Sequence, residues 1–228
     1  MIYCIGDSFT AGEELPGWPN QFNNDQYPTH PNAWPGLLEQ KLNHPVTNWG
    51  RGGCGNIRII KRAMDAVTSR AEIVIVSWTS AERLELADDV SIFDYWRGRN
   101  TSRMRAKEIR EDVVDWLTMY QNKKELDKWY LTAWLRQIIL LQSFFKVNNQ
   151  RYIMLSSLPY NHYSGYLREF DTLVDLIDST YFIDWPKWSM MDWVYGLPKG
   201  PGGHFLEEGH QLVAEKVNEY IRRLGWIS

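Results

Sequence analysis

The sequence contains only two cysteines, Cys4 and Cys54, among its 228 residues. Two thiols cannot form the disulfide framework on which small secreted domains depend, so we expect both to be reduced. Cys4 falls inside the first apolar run, and Cys54 falls in a glycine-rich turn. The fold must therefore be held together by a hydrophobic core, for which a chain of this length is sufficient.

Long apolar runs and a charge excess are also missing. No run approaches the roughly 20 apolar residues of a membrane span, and the run Ile2–Ile5 is too short for the core of a secretory signal. Basic and acidic residues nearly balance, 25 against 28, which gives a net charge of −3. We therefore expect no membrane partner, no nucleic-acid partner and a cytoplasmic location, while the oligomeric state stays open.

The motifs that hold metals and phosphates are missing as well. The five histidines are scattered along the chain, and neither H-E-x-x-H nor C-x-x-C occurs. The phosphate-binding pattern G-x-x-x-x-G-K-[ST] does not occur either. We therefore expect neither a metal site nor a cofactor.

Five short apolar runs recur along the chain, and each ends in a loop with polar or glycine residues. Runs of this kind are typical of buried parallel strands, and helical patterns lie between them. The alternation predicts a three-layer α/β/α sandwich with a mainly parallel, flavodoxin-like, five-stranded sheet. We expect a single domain over residues 1–228, with a polar and charged insertion at about 84–128. The runs are Tyr3–Ile5, Val46–Trp49, Ile73–Ser77, Tyr152–Leu155 and Tyr181–Ile183.

Two of the helical patterns predict which side chains are buried. The stretch Leu131–Phe145 carries an apolar stripe at spacings of three and four, which indicates a helix packed against the sheet. The stretch "NIRIIKRAMDAV" has the same spacings. Its predicted buried face consists of Ile57, Ile60, Met64 and Val67.

The opening stretch "MIYCIGDSFTAGEE" places Ser8 immediately after the first predicted strand. A serine there is either a turn residue that caps the next helix or a nucleophile held at the end of a strand. In open α/β sheets, ligands bind outside the carboxyl ends of the strands, so chemistry is expected at this edge. The short motif alone does not distinguish the two.

Two further stretches follow this serine in order along the chain. "NWGRGGCGN" comes after the second predicted strand, and its glycines let backbone N–H groups approach a ligand closely. "GGHFLEEGH" places His204 in a glycine-rich loop before the last predicted helix. Together the three stretches resemble the SGNH, or GDSL, hydrolase superfamily. The resemblance implies a serine esterase in which Ser8 is the nucleophile, His204 is the base, and the N–H groups of Ser8 and Gly53 bind the oxyanion.

The sequence departs from this family in two places. Where the family has an asparagine that donates to the oxyanion, the chain reads "SWTSAERLE", so a hydroxyl would donate instead, from Ser80 rather than Thr79. Where the family has the aspartate of D-x-x-H, the chain has Pro201, which cannot orient an imidazole. Three replacements stay open: Asp192, which we favour, Asp184, and a backbone carbonyl of "KGPGG".

Only Arg83 and the tryptophans near the site motifs give an indication of the substrate. Arg83 follows the third block, and it either binds an anionic or carbonyl group of the substrate or pairs with Glu82 or Glu85. Tryptophans near the site motifs, including Trp78, are suited to stacking on sugar rings. We therefore expect a small-molecule or glycan ester, with a short acyl group such as acetyl on a carbohydrate.

One more resemblance and one alternative complete the interpretation. The "GPGGH" block and the "WTS" of the third block resemble GDSL-like proteins of tailed phages, which implies a phage-associated protein. The alternative function is a catalytically inactive SGNH-fold protein that binds a carbohydrate or another ligand. The missing asparagine and aspartate are the evidence for that alternative.

Overall fold

The computed structural model describes residues 1–18, 29–83, 85–87, 90–91, 123–159 and 168–227. Most of the insertion predicted at about 84–128 lies outside these residues.

A parallel sheet forms the middle layer of the fold. Its strands are β1 (Ile2–Gly6), β2 (Val46–Gly50), β3 (Ile73–Trp78) and β6 (Arg151–Ser156). They lie in the order β2-β1-β3-β6, and all neighbouring pairs are parallel. A separate antiparallel pair consists of β4 (Glu85–Ala87) and β5 (Val90–Ser91). Because β2 and β3 lie on either side of β1 and run parallel to it, the carboxyl ends of all three strands lie at the same edge of the sheet.

Helices cover both faces of this sheet, which confirms the predicted α/β/α sandwich. They are α1 (Ser8–Ala11), α2 (Trp34–Leu42), α3 (Asn56–Thr68), α4 (Lys123–Val147), α5 (Asp171–Asp175), α6 (Met190–Trp193) and α7 (Glu207–Arg223). Helices α3 and α4 share one buried apolar cluster with the sheet, and α2 and α7 share the other. Strand β3 contributes alternate side chains to both clusters, Val74 and Val76 to the first and Ile73 and Ile75 to the second.

The prediction of a fifth strand at 181–183 is wrong. Among the described residues this run makes a single bridge, between Phe182 and Met154 of β6. Asp178 caps a 3₁₀ turn over Ser179–Tyr181 just before the bridge, and Asp184 just after it has a φ of 56°. Two local turns therefore direct the chain away from the sheet, and the sheet has four strands in the described part of the chain.

The two helical predictions have different outcomes. The stripe over Leu131–Phe145 is confirmed, since its six apolar side chains are all buried in α4. They are Leu131, Trp134, Leu135, Ile138, Leu141 and Phe145. In α3 the buried apolar residues are instead Ile59, Ala63 and Ala66, and Ile57 is 51% exposed. The small alanines let the helix axis approach the sheet, so the longer side chains of the predicted face lie at the border of the contact.

The two cysteines are free thiols in the fold. Neither Cys4 nor Cys54 forms a disulfide, and both are buried. Burial raises the pKa of the Cys4 thiol well above its ordinary value. Within the residues given above, no helix has both the length and the apolar character needed to cross a bilayer.

Candidate active site

Ser8 is the first residue of α1 and follows β1 directly. The capping of this short helix is performed by Asp7, whose Oδ1 accepts a hydrogen bond from the N–H of Phe9 at 3.1 Å. Strand β2 packs closely below the helix, since a Cβ on Gly50 would lie 2.3 Å from the backbone nitrogen of Ala11. The capping role considered for Ser8 is therefore performed by its neighbour, and the Ser8 hydroxyl is available for another role.

The hydroxyl of Ser8 contacts the imidazole of His204. Its Oγ lies 2.7 Å from Nε2 of His204, although the two residues are 196 positions apart in the chain. His204 lies in the loop before α7, and its ring packs beside Phe9 with the ring centroids 4.7 Å apart. The structure thus brings together the two residues that the sequence predicted as nucleophile and base.

The other ring nitrogen of His204 contacts a carboxylate that the sequence analysis did not identify. Oε2 of Glu14 lies 3.0 Å from Nδ1 of His204 and accepts a hydrogen bond from the backbone N–H of His204 at 3.1 Å. Oε1 of Glu14 accepts a hydrogen bond from the N–H of Gly202. Burial would raise the pKa of Glu14, but these hydrogen bonds outweigh it and hold the pKa below its ordinary value. Glu14 is therefore ionised at neutral pH.

The prediction that Asp192 orients His204 is corrected by this contact. Oδ2 of Asp192 accepts hydrogen bonds from the N–H and the hydroxyl of Ser189, at 2.8 and 2.6 Å, in the capping box of α6. Asp184, the other aspartate considered, lies 3.4 Å from Nζ of Lys216. Both carboxylates are thus engaged with other residues, while Glu14 is on Nδ1 of His204.

The glycine turn after β2 follows a strand that ends at the same edge of the sheet as β1, and the role of Gly53 as an oxyanion donor stays a prediction. Gly53 has a φ of 67°, a left-handed conformation that favours glycine. Within the described part of the chain, the N–H groups of Gly53 and Ser8 have no hydrogen-bond acceptor. Two unpaired N–H groups at the edge that carries Ser8 are the kind of donors that an oxyanion requires.

The turn after β3 is held by Asn56, the first residue of α3. Its Oδ1 accepts a hydrogen bond from the N–H of Thr79 at 3.1 Å, and its Nδ2 donates to the carbonyl of Ser80 at 3.0 Å. The Ser80 hydroxyl accepts from the N–H of Glu82 at 3.4 Å, and its own proton has no acceptor among the described residues. The Thr79 hydroxyl is buried without a partner in the described part of the chain. The choice of Ser80 over Thr79 stays a prediction.

Arg83 lies near the carboxylate of Asp7, the residue that precedes Ser8. Its Nη1 is 3.8 Å from Oδ2 of Asp7, a carboxylate that is completely buried. Oδ1 of Asp7 also accepts from the hydroxyl of Ser157 at 3.0 Å, and that hydroxyl lies 2.6 Å from the hydroxyl of Ser77. Arg83 is therefore close to the site, with Asp7 as its charged neighbour.

The prediction that Trp78 contacts the substrate is wrong. The residue ends β3, and its side chain is 0% exposed within the apolar cluster that α3 and α4 share with the sheet. A ring with no accessible face cannot stack on a sugar.

The glycine turn also matches the pattern G-x-G-x-x-G at Gly50, Gly52 and Gly55, which occurs in dinucleotide-binding turns. The first of these glycines is required by the close approach of Ala11, so packing accounts for it without a cofactor. No group of three or more His, Cys, Asp or Glu side chains in the described ranges is arranged to hold a metal ion.

Comparison with solved structures identifies the class of fold. The chain has the α/β/α fold of the G-D-S-L, or SGNH, proteins: it matches a member of the lipolytic G-D-S-L family from Veillonella parvula with a TM-score of 0.51 and 14% identity, covering 97% of this chain and 98% of that one. Identities this low show the shared fold alone. No family model matches the sequence, and no curated protein matches it significantly.

Two carbohydrate esterases share the same fold. An acetylxylan esterase from Geobacillus stearothermophilus, solved as a catalytic mutant, matches with a TM-score of 0.53 and 15% identity, covering 100% of this chain and 95% of that one. A carbohydrate esterase family 2 enzyme with a carbohydrate binding domain, from Corynascus thermopiles, matches with a TM-score of 0.54 and 14% identity. That match covers 99% of this chain and 66% of the other.

Proposed function

We propose that this protein is a serine esterase that hydrolyses carboxylic esters, with Ser8 as nucleophile and His204 as base. The observation that carries the proposal is the 2.7 Å contact between Ser8 Oγ and His204 Nε2 at the carboxyl edge of the sheet. A nucleophile within hydrogen-bond distance of a base that is itself held by a third group is the arrangement that activates serine. The esterases that share the fold support the same reaction.

The reaction proceeds in two halves. His204 takes the proton of Ser8 as Oγ bonds to the carbonyl carbon, and the resulting oxyanion accepts hydrogen bonds from the N–H groups of Ser8 and Gly53 and from the Ser80 hydroxyl. The carbon–oxygen bond to the alcohol then breaks, and His204 gives its proton to the departing alkoxide. Water, deprotonated by His204, attacks the acyl-enzyme and releases the acid and the free Ser8 hydroxyl.

The substrate that we propose is a short acyl ester, such as acetyl, on a carbohydrate. Ser8 is 3% exposed and the side chain of His204 is 16% exposed, and this low exposure supports a small acyl group over a bulky one. The acetylxylan esterase and the family 2 carbohydrate esterase that share this fold support a carbohydrate as the alcohol part. Arg83 is the proposed contact to the substrate, because its Nη1 lies 3.8 Å from Oδ2 of Asp7, the residue that precedes Ser8.

The phage-encoded type and the cytoplasmic location are part of the same proposal. The phage-encoded type is supported by the "WTS" and "GPGGH" motifs, and the location is supported by the two cysteines, Cys4 and Cys54, which are free thiols as expected in a reducing compartment.

The proposal is tested with Ser8→Ala on p-nitrophenyl acetate and on acetylated xylo-oligosaccharides. We expect turnover to fall by at least ~10³-fold with an unchanged melting temperature, because only the nucleophile is removed. A fluorophosphonate probe should label Ser8 in the wild type and nothing in the variant. Full activity in Ser8→Ala, or labelling of another residue, contradicts the mechanism.

The same experiment distinguishes the inactive binding protein. Such a protein would show no turnover and no labelling, but it would bind the sugar equally well with and without the Ser8 hydroxyl. The missing D-x-x-H aspartate was half of the evidence for that alternative, and the carboxylate of Glu14 on His204 weakens it.

A further inference from the structure

The segment after Ser8 turns back toward the nucleophile. Helix α1 ends at Gly12, which has a φ of 87°, and Glu14 has a φ of 72°. A positive φ is unfavourable for glutamate, so it is found where the surroundings fix the backbone. Here the turn directs the Glu14 side chain at the loop that carries His204.

We propose that Glu14 is the positioning residue of this esterase, taking the role that an aspartate before the histidine has in related sequences. The proposal rests on the proposed function and adds a residue to it. In this proposal the nucleophile Ser8 and the carboxylate of Glu14 come from the same short stretch of chain. Only the base, His204, comes from a distant part of the sequence.

The contacts of the carboxylate determine which ring nitrogen carries the proton. A carboxylate only accepts hydrogen bonds, so Nδ1 of His204 must be the protonated nitrogen that donates to Oε2 of Glu14. Nε2 then has a free lone pair, and it lies 2.7 Å from the Ser8 hydroxyl. That tautomer is the one in which His204 can act as a base toward Ser8.

Two glycines of the loop make room for the carboxylate. A Cβ on Gly200 would lie 2.6 Å from Oε2 of Glu14, and a Cβ on Gly202 would lie 2.7 Å from Oε1. Both distances are shorter than real Cβ contacts, so a side chain at either position would displace the carboxylate of Glu14 from its present place. The N–H groups of Gly202 and His204 both donate to the carboxylate.

The other carboxylate near the ring is on the wrong side for this role. Oε2 of Glu13 lies 3.9 Å from Nε2 of His204, the nitrogen that faces Ser8. Glu14 alone contacts Nδ1 among the described residues. The aspartates Asp192 and Asp184 have the partners described above.

The experiment compares Glu14→Gln and Glu14→Asp with the wild type and uses Asp192→Asn as the matched control. Each protein is assayed for kcat and KM on p-nitrophenyl acetate from pH 5 to 9, with its melting temperature. Glutamine keeps the size and an oxygen acceptor but removes the charge. We expect Glu14→Gln to lower kcat by about 10²–10⁴-fold with KM nearly unchanged. The acid limb of the kcat/KM profile should move to lower pH, because the imidazolium loses the nearer of its two carboxylate neighbours among the described residues and keeps only Glu13 at 3.9 Å.

Glu14→Asp restores the charge on a shorter side chain, so we expect it to be at least tenfold more active than Glu14→Gln and to keep the acid limb of the wild type. Asp192→Asn should change kcat by less than threefold. A Glu14→Gln variant with near-normal kcat, or one with low kcat but an unmoved acid limb, overturns the proposal. An equal loss in Asp192→Asn overturns it as well. If the wild type neither hydrolyses the ester nor reacts with the fluorophosphonate at Ser8, the proposed function has failed instead.

Discussion

His210 lies in the first turn of α7 with 1% of its surface exposed, and its Nδ1 accepts a hydrogen bond from the N–H of Trp34 at 3.1 Å. Burial, with smaller contributions from His30 and His204, lowers the pKa of His210 to about 3. In the unfolded chain the pKa returns to about 6.5. The unfolded state therefore binds a proton below that pH that the folded state does not. The stability that this group contributes is complete above pH 6.5 and is lost progressively as the pH falls toward 3.

We predict that the free energy of unfolding of the wild type falls by about 2 kcal/mol between pH 7 and pH 5 through this residue alone. His210→Asn places an amide oxygen near the position of Nδ1, so it can accept from Trp34 without titrating. Its loss between the two pH values should be about 2 kcal/mol smaller, as measured by urea unfolding at each pH. An identical pH dependence in both proteins would show that His210 is not the titrating group.

The residues of the site differ in how far the sequence predicted them. Ser8 and His204 are found from motifs, because each is flanked by glycines within a few positions. Glu14 is not found this way, because its contact with His204 joins positions that are 190 apart in the chain. The available signals were the acidic pair Glu13 and Glu14 directly after the serine motif and the glycine spacing of "KGPGG". Trp78 was wrongly assigned to substrate binding from its place near the site motifs. The sequence position of a strand residue does not show toward which layer its side chain points.

At the scale of elements, the loop between the bridge residues Lys199 and Phe205 packs around the carboxylate of Glu14. We predict that Gly202→Ala lowers kcat by about 10²-fold, because the new methyl group would displace the carboxylate of Glu14 and with it the imidazole. Gly196→Ala is the control: its φ is 86°, so alanine is strained there, but no atom of the described residues lies within 4 Å of the added methyl group. The control should have a lower melting temperature and a normal kcat in the same ester assay. Equal kcat losses would indicate a general loss of loop structure.

Elements were predicted well where a long pattern specifies them and less well where a few local contacts decide. The stripe of α4 repeats over many turns, so a single exception could not have changed the result. The run at 181–183 is short, and the capping carboxylate of Asp178 together with the turn at Asp184 outweighs its apolar character. The buried face of α3 was predicted on the wrong residues, because alanine counts as only weakly apolar in a periodicity analysis. In the structure alanine marks the buried face, since its small side chain allows the closest packing.

At the scale of the whole molecule, both apolar clusters depend on the same central strand, because β3 supplies Val74 and Val76 to one and Ile73 and Ile75 to the other. Disruption of one cluster should weaken the packing of the other. We therefore predict a single cooperative unfolding transition in urea, with the same midpoint by far-UV circular dichroism and by tryptophan fluorescence. Ile75→Ala should move both curves to lower urea together, by about 2–5 kcal/mol in unfolding free energy. Midpoints that separate would indicate two units and contradict the single domain.

The distance in sequence between Ser8 and His204, 196 positions, has a consequence for how the protein is made. A ribosome must synthesise the chain at least as far as His204 before the side chains of Ser8 and His204 can meet. A shorter nascent or truncated chain contains Ser8 without its proposed base, whatever part of the sheet it has formed. On the proposed mechanism, ester hydrolysis in a translation mixture would report that synthesis has passed the His204 loop and that the chain has folded.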